Sequence, residues 1–215
     1  IPIDQLLQVI YASKTRIHVI HMTYMQCSNS FTERPDPVIL PPYLIHLDLS
    51  FCTFSDVAIV SLLKLIGMTQ FDNPIMLQLI KLDVNPNFIY QLDSIDLTRI
   101  NPNSILEFDF SANQILAEPS LKLFAYLFTQ KAMRLVQFNS IEVDDGVTFL
   151  KNLMTLITNL QLPGFEVSGN FNAVTFNQFL SALAGMNLQY VRHVGFRRAN
   201  TGSQGLGALN QLIIA

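Results

Sequence analysis

Half of the 215 residues are apolar and only 13% are charged, against roughly 25% in an average globular domain, so much of the chain must be buried. The formal net charge of −3 leaves no basic excess to neutralise phosphates, which argues against nucleic-acid binding. Charged residues interrupt every apolar stretch before it reaches the roughly 18 residues of a spanning helix, so we expect no membrane span.

An apolar frame with the pattern L-x-x-L-x-L recurs seven times along the chain. The frames start at Ile17, Leu44, Leu79, Ile105, Met133, Leu162 and Val191. Successive starts are 27, 35, 26, 28, 29 and 29 residues apart, so only the second step requires an insertion. This pattern predicts a short strand in each unit, with room for a helix after it. We therefore expect one repetitive domain over residues 1–215.

The first unit departs from this plan in its second half. Residues 28–42 stand where a helix belongs but contain Pro35, Pro37, Pro41 and Pro42. Proline removes a backbone donor and disfavours helical geometry in the residue before it. We therefore expect an extended, irregular segment there. Residues 67–73 are expected to lengthen the following turn. Each of the two segments is either a functional loop or, as is usual for insertions on the outer surface of a repeat protein, tolerated padding.

Later units carry recognisable helix boundaries. Ser55 or Asp56 is expected to cap a helix that runs through Ile66 and closes at Gly67, and Pro119 suits a first helical position. In the next two units, Asp144 and Asp145 favour the start of a helix through Ile157, and Asn172 caps a helix over Ala173–Ala184 that Gly185 ends in a left-handed conformation. A weaker helix is expected over 203–212, because it contains Gly205 and Gly207.

The two cysteines do not suggest a disulfide framework. Cys27 and Cys52 occupy the eleventh and ninth places of their units, so we expect both to be reduced core residues. The chain contains no Asn-x-Ser/Thr acceptor, which agrees with an intracellular protein. It starts at Ile1 and ends in the apolar run 212–214, as expected for a fragment of a longer protein.

The phrases LIHLDLSFCTFSD, starting at Leu44, and ILEFDFSANQI, starting at Ile105, resemble leucine-rich repeats of the ribonuclease-inhibitor-like class. They are most similar to repeats in actin-regulating scaffolds of the CARMIL type and related protist proteins. The resemblance implies an α/β solenoid of about seven repeats, with a curved parallel sheet on the concave face and helices on the convex face. It also implies a cytoplasmic protein-interaction scaffold in a cytoskeletal context.

The candidate binding surface is the concave face, which the third, fifth and seventh places of each frame line. The fifth places are His21, Asp48, Asp83, Asp109, Gln137, Glu166 and Gly195. Three successive aspartates predict an unbroken acidic row, and a basic partner protein would relieve their mutual repulsion. Alternatively, aspartate is simply common at this place in such repeats, and Lys81, His46 or water balances its charge. The partner-binding candidates are His21, His46, Asp48, Ser50, Lys81, Asp83, Asn85, Glu107, Asp109, Ser111, Gln137, Glu166 and Arg197.

Other sequence features argue against a catalytic, cofactor-binding or metal-binding role. Phosphate-loop and G-x-S-x-G motifs are absent, so we expect no enzyme and no cofactor. Three histidines fall on concave places, but without H-E-x-x-H spacing we expect no metal site. Arg192, His193, Arg197 and Arg198 form either a second contact or a solvated edge beside a following repeat. A GTPase-activating module and a receptor or adhesin domain are the alternative functions.

Overall fold

The computed structural model of the chain describes residues 3–12, 16–32, 38–186 and 188–196. The described strands are β1 (Val19–His21), β2 (Gln26–Cys27), β3 (His46–Asp48), β4 (Thr53–Phe54), β5 (Ile75–Gln78), β6 (Ile105–Asp109), β7 (Gln114–Ile115), β8 (Leu135–Val143), β9 (Gly164–Gly169) and β10 (His193–Gly195). The α-helices are α1 (Ile3–Ala12), α2 (Asp56–Met68), α3 (Ser120–Phe128), α4 (Gly146–Leu160) and α5 (Ala173–Ala184), and 3-10 helices cover Pro86–Ser94 and Leu97–Arg99.

The fold is mixed α/β and is built on a parallel sheet. Seven strands pair in the order β1-β3-β5-β6-β8-β9-β10, and every pairing is parallel. Strands from six predicted frames pair with matching places opposite one another; His46, for example, lies opposite Val19, and both occupy third places. The prediction of a seven-stranded parallel sheet with helices is therefore confirmed.

The predicted third frame, starting at Leu79, is wrong. Strand β5 instead begins at Ile75, which is 31 residues after Leu44 and 30 before Ile105. Ile75 pairs with Ile105, but the register then shifts by one residue, so that Met76 lies opposite Glu107. The inward residues Ile75, Leu77 and Leu79 therefore follow an I-x-L-x-L pattern, one residue shorter than the frame. The long insertion disappears with this correction.

The helix boundaries largely follow the capping signals. Ser55 caps α2, Asp145 caps α4 and Asn172 caps α5, each by accepting a backbone hydrogen bond. Three details differ. Gly67 lies inside α2, which ends at Met68; Pro119 is the N-cap of α3 rather than its first residue; and Gly185 is right-handed, with φ −81°.

The unit that contains β5 has no α-helix and forms the two 3-10 helices instead. Residues 28–32 and 38–42 contain no helix or strand, as the prolines predict. The predicted helix over 203–212 lies outside the described residues, as do Pro35 and Pro37. Within the described part of the chain, no helix is long and apolar enough to cross a membrane.

One continuous apolar core joins the inward side of the sheet to the helices. Its centre is aromatic: the rings of Phe108, Phe124, Phe138 and Phe149 are at most 1% exposed and lie within about 6 Å of a neighbour. The helices therefore cover one face of the sheet, and the other face carries the candidate site.

A second periodic feature lies just beyond the strands. The residues at the eighth place of the first five units all have left-handed backbone conformations, with φ between 50° and 61°. They are Tyr24, Phe51, Lys81, Ala112 and Ser140. Left-handed geometry is uncommon for residues other than glycine, so its recurrence at one place marks the same turn in each unit.

Candidate functional site

The sheet face turned away from the helices, here called the polar face, carries the third, fifth and seventh places. Strand register fixes its fifth-place row as His21, Asp48, Gln78, Asp109, Gln137, Glu166 and Gly195. Carboxylates therefore alternate with amides along the row. The predicted unbroken acidic row is wrong, because Gln78 separates Asp48 from Asp109.

The three candidates from the misplaced frame lie off the sheet. Lys81 is the left-handed residue after β5, and Asp83 forms an isolated parallel bridge with Thr53, whose hydroxyl donates to Asp83 Oδ2 at 3.2 Å. Asn85 caps the first 3-10 helix by accepting from the Asn87 amide. Asp83 remains exposed, at the edge of the polar face rather than within it.

Histidines pair with carboxylates at both ends of the row. His21 Nδ1 lies 3.0 Å from Asp48 Oδ2, and His193 Nε2 lies 2.8 Å from Glu166 Oε1. Asn139 Nδ2 donates to the second Glu166 oxygen at 2.6 Å. The end strands β1 and β10 are thus each joined to their neighbour through a side-chain pair, and these carboxylates already have partners within the chain.

Asp48 remains ionised because its hydrogen bonds outweigh its burial. Partial burial acts to raise its pKa, but donation from the side chain and backbone amide of Ser50, together with the nearby His21, lowers the pKa below the ordinary value of 3.8. The Ser50 amide lies 2.9 Å from Asp48 Oδ1. Asp48 is therefore a carboxylate, and only an acceptor, at neutral pH.

Apart from β10, whose exposed His193 pairs with Glu166, the polar face divides into two halves. In the enclosed half, formed by β6, β8 and β9 with the residues that follow them, most of the third, fifth and seventh places are buried. Those side chains are Asp109, Ser111, Asn139, Glu166 and Ser168, each at most 9% exposed. They form hydrogen bonds across the sheet. The backbone amide of Asn139 donates to Ser111 Oγ at 3.0 Å, and the backbone amide of Ser140 donates to Ser168 Oγ at 2.8 Å. These polar groups stabilise the sheet.

The accessible half, formed by β1, β3 and β5 with the residues that follow them, is open to solvent. Of its nine third, fifth and seventh places, only Ser50 is buried. The His21 side chain is 55% exposed. Ser50 Oγ accepts a hydrogen bond from the Ile80 backbone amide at 3.3 Å and so links the residues that follow β3 and β5.

An exposed aromatic pair borders the accessible half. The Tyr24 and Phe51 rings stack with centroids 5.2 Å apart and an angle of 19° between their planes. The Lys81 ammonium lies 6.0 Å from the Phe51 centroid, so the three side chains form what we call the aromatic column. Tyr24 is 77% exposed and Phe51 39%. Both side chains occupy the eighth place of their units, 27 residues apart, which lies outside the third, fifth and seventh places of the predicted surface.

The cysteines have structural roles. Cys27 and Cys52 are buried thiols rather than disulfide partners, as expected. Cys52 Sγ donates to the Met22 carbonyl at 2.9 Å and accepts a hydrogen bond from the Met25 amide at 3.4 Å. In a later unit, the Asn113 side chain makes the equivalent bonds to the Leu79 carbonyl and the Leu82 amide. Burial raises the pKa of the Cys52 thiol, so it is a poor nucleophile at neutral pH.

The remaining candidates add little to the accessible surface. Glu107 and Gln137 are half-buried in the enclosed half, and Arg197 lies outside the described residues, as does Arg198. Among the residues that the structure describes, no group of three or more His, Cys, Asp or Glu side chains is arranged to hold a metal ion. Gln78, Tyr24 and Phe51 are the site residues that the sequence frames missed.

No family model, curated protein or solved structure matches the chain. The interpretation of the polar face therefore depends on its geometry.

Proposed function

We propose that the chain is a leucine-rich repeat solenoid of the ribonuclease-inhibitor-like class and serves as a protein-interaction scaffold. Three features support this architecture. The frames pair in register, a left-handed residue recurs at the eighth place, and an α-helix or 3-10 helix follows each of the frame strands β3, β5, β6, β8 and β9. Such repeats offer side chains from successive strands to one partner. The resemblance of the sequence favours a cytoplasmic setting and a cytoskeletal partner.

The observation that carries the proposal is the difference between the two halves of the polar face. Most polar side chains of the enclosed half are buried, whereas in the accessible half only Ser50 is buried, His21 is exposed, and the exposed aromatic column lies at the border. Exposed aromatic side chains are enriched at protein interfaces and often supply most of the binding energy. We therefore assign the partner contact to the accessible half and the column.

The partner's charge follows from the carboxylates that remain near this surface. Asp109 and Glu166 are enclosed, but Asp48 lies within the accessible half and exposed Asp83 lies beside the column. A partner with a basic patch flanked by apolar groups would complement both features.

A quantitative pull-down from the native lysate tests the proposal. The baits are the wild type, a column variant with Tyr24→Ala and Phe51→Ala, and a control with Glu107→Ala and Gln137→Ala in the enclosed half. Circular dichroism first establishes that all three are folded. We expect a specific partner to be lost from the column variant and retained by the control. Equal recovery on all three baits would contradict the assigned surface.

A further inference from the structure

Two histidines lie side by side in the accessible half. His21 on β1 and His46 on β3 have ring centroids 4.9 Å apart, with 76° between the ring planes. Each uses one ring nitrogen within the protein: His21 Nδ1 lies 3.0 Å from Asp48 Oδ2, and His46 Nε2 lies 2.9 Å from Gln78 Oε1. Both imidazoles are therefore fixed in orientation by an acceptor.

These acceptors also select the tautomers. A carboxylate oxygen and an amide oxygen only accept hydrogen bonds, so the proton of each neutral ring lies on the nitrogen that faces its acceptor. The lone pairs then belong to His21 Nε2 and His46 Nδ1. Metal-ligating histidines use the same arrangement, in which the second nitrogen donates to a carboxylate or carbonyl group that orients the ring.

The ring separation suits a shared ion. Metal–nitrogen distances of about 2.0–2.1 Å in tetrahedral geometry place the centroids of two bound imidazoles about 5 Å apart. We propose that His21 Nε2 and His46 Nδ1 bind one divalent transition-metal ion of the Zn²⁺, Ni²⁺ or Cu²⁺ type, oriented by Asp48 and Gln78. Imidazole suits these metals, and a two-histidine site leaves further coordination positions for water or an external donor. This inference stands independently of the proposed protein partner.

His193 provides a matched control. It too is a half-exposed histidine on an end strand, paired with a carboxylate across the sheet. Within the described residues, however, the only paired imidazole rings are those of His21 and His46. His193→Gln thus removes one histidine–carboxylate pair without touching the proposed site.

Calorimetric titration of the full chain with NiCl₂, and separately with ZnCl₂, tests the site. We expect one ion per chain, loss of saturable binding in His21→Gln and in His46→Gln, and unchanged binding in His193→Gln. Asp48→Asn should weaken binding by about 10- to 100-fold, because an orienting partner is altered. Circular dichroism verifies the fold of each variant. The proposal would be overturned if the wild type showed no saturable binding, or if saturable binding persisted in the His21→Gln variant and in the His46→Gln variant.

Discussion

Asn113 shows how single side chains hold neighbouring turns together. Its Nδ2 donates to the carbonyl oxygens of Leu79 at 2.7 Å and Phe110 at 2.9 Å, and its Oδ1 accepts the Leu82 amide at 2.8 Å. The residue is 3% exposed, so water cannot replace these bonds. Its role is to satisfy buried backbone groups that would otherwise be costly.

Asn113→Ala should lower the free energy of unfolding by about 3 kcal/mol, because it leaves buried backbone donors and acceptors without partners. Urea denaturation measures this change. Gln114→Ala, at the exposed neighbouring residue, should stay within about 0.5 kcal/mol of the wild type. Equal effects of the two substitutions would exclude this role for Asn113.

The lowered pKa of Asp48 predicts a pH dependence. Folding lowers the pKa, so the ionised carboxylate stabilises the native state at any pH above the unfolded value, and this contribution is lost as pH falls through the folded value. The stability difference between wild type and Asp48→Asn should therefore be complete above about pH 5 and shrink below pH 3.8. Denaturation across this range measures it, and a pH-independent difference would contradict the assignment.

Ala112 tests the strain at the eighth place. It has φ 57°, whereas Ala125 is in the regular helix α3, and both are half-buried. Glycine should relieve the left-handed strain in Ala112→Gly and raise the unfolding free energy by about 0.5–1 kcal/mol. The same change in Ala125→Gly should lower it by about 1 kcal/mol. Thermal or urea unfolding compares them; the same sign for both would rule out left-handed strain at Ala112.

At the level of elements, the pairing of β8 with β9 depends on Gly169. Strand β8 has one more residue than β9 between the pairs Phe138–Val167 and Ile141–Gly169. A β-carbon on Gly169 would overlap the Ile141 carbonyl oxygen and lie 3.0 Å from Ile141 Cγ1. Glycine therefore permits the close approach of these backbones where the register shifts.

Gly169→Ala should lower the free energy of unfolding by about 1–3 kcal/mol through overpacking. Gly185→Ala is the control, since its β-carbon would meet only ordinary contacts at 3.6 Å or more and φ is −81°. That control should raise stability by about 0.5 kcal/mol, because alanine restricts the unfolded chain. Chemical denaturation compares the two, and tolerance of alanine at position 169 would show that the strands can separate without cost.

The elements that could be predicted were those with local signals. Ser55, Asp145 and Asn172 identified helix starts because capping bonds form within a few residues. Strand β5 could not be placed from the sequence, because its register shift against β6 shortens the apolar pattern by one residue. Leu79, Leu82 and Val84 also form a competing frame nearby. Such a shift depends on the neighbouring strand and has no local signature.

At the scale of the molecule, the frames predicted which face of the sheet would be polar but not which part of it would be open. Asp48 and Glu166 occupy the same place in their units, yet the Asp48 side chain is 16% exposed and that of Glu166 is 8%. The difference comes from partners on other strands, since Asn139 and His193 both contact Glu166. The alternation of Asp48, Gln78 and Asp109 likewise follows from tertiary pairing.

Strand register is the central claim, because it determines both the polar face and its two halves. Asp48 lies opposite Gln78 on adjacent strands, whereas Asp83 lies opposite Thr53. Paired parallel strands are about 4.8 Å apart, within the Cα separation that a disulfide requires.

The most direct test is oxidative cross-linking of two double-cysteine variants, read by peptide mass spectrometry. The first carries Asp48→Cys with Gln78→Cys, and the second carries Asp48→Cys with Asp83→Cys. The structure predicts rapid formation of the 48–78 disulfide and little of the 48–83 disulfide. Faster cross-linking of the second pair would contradict this register and restore the unbroken acidic row.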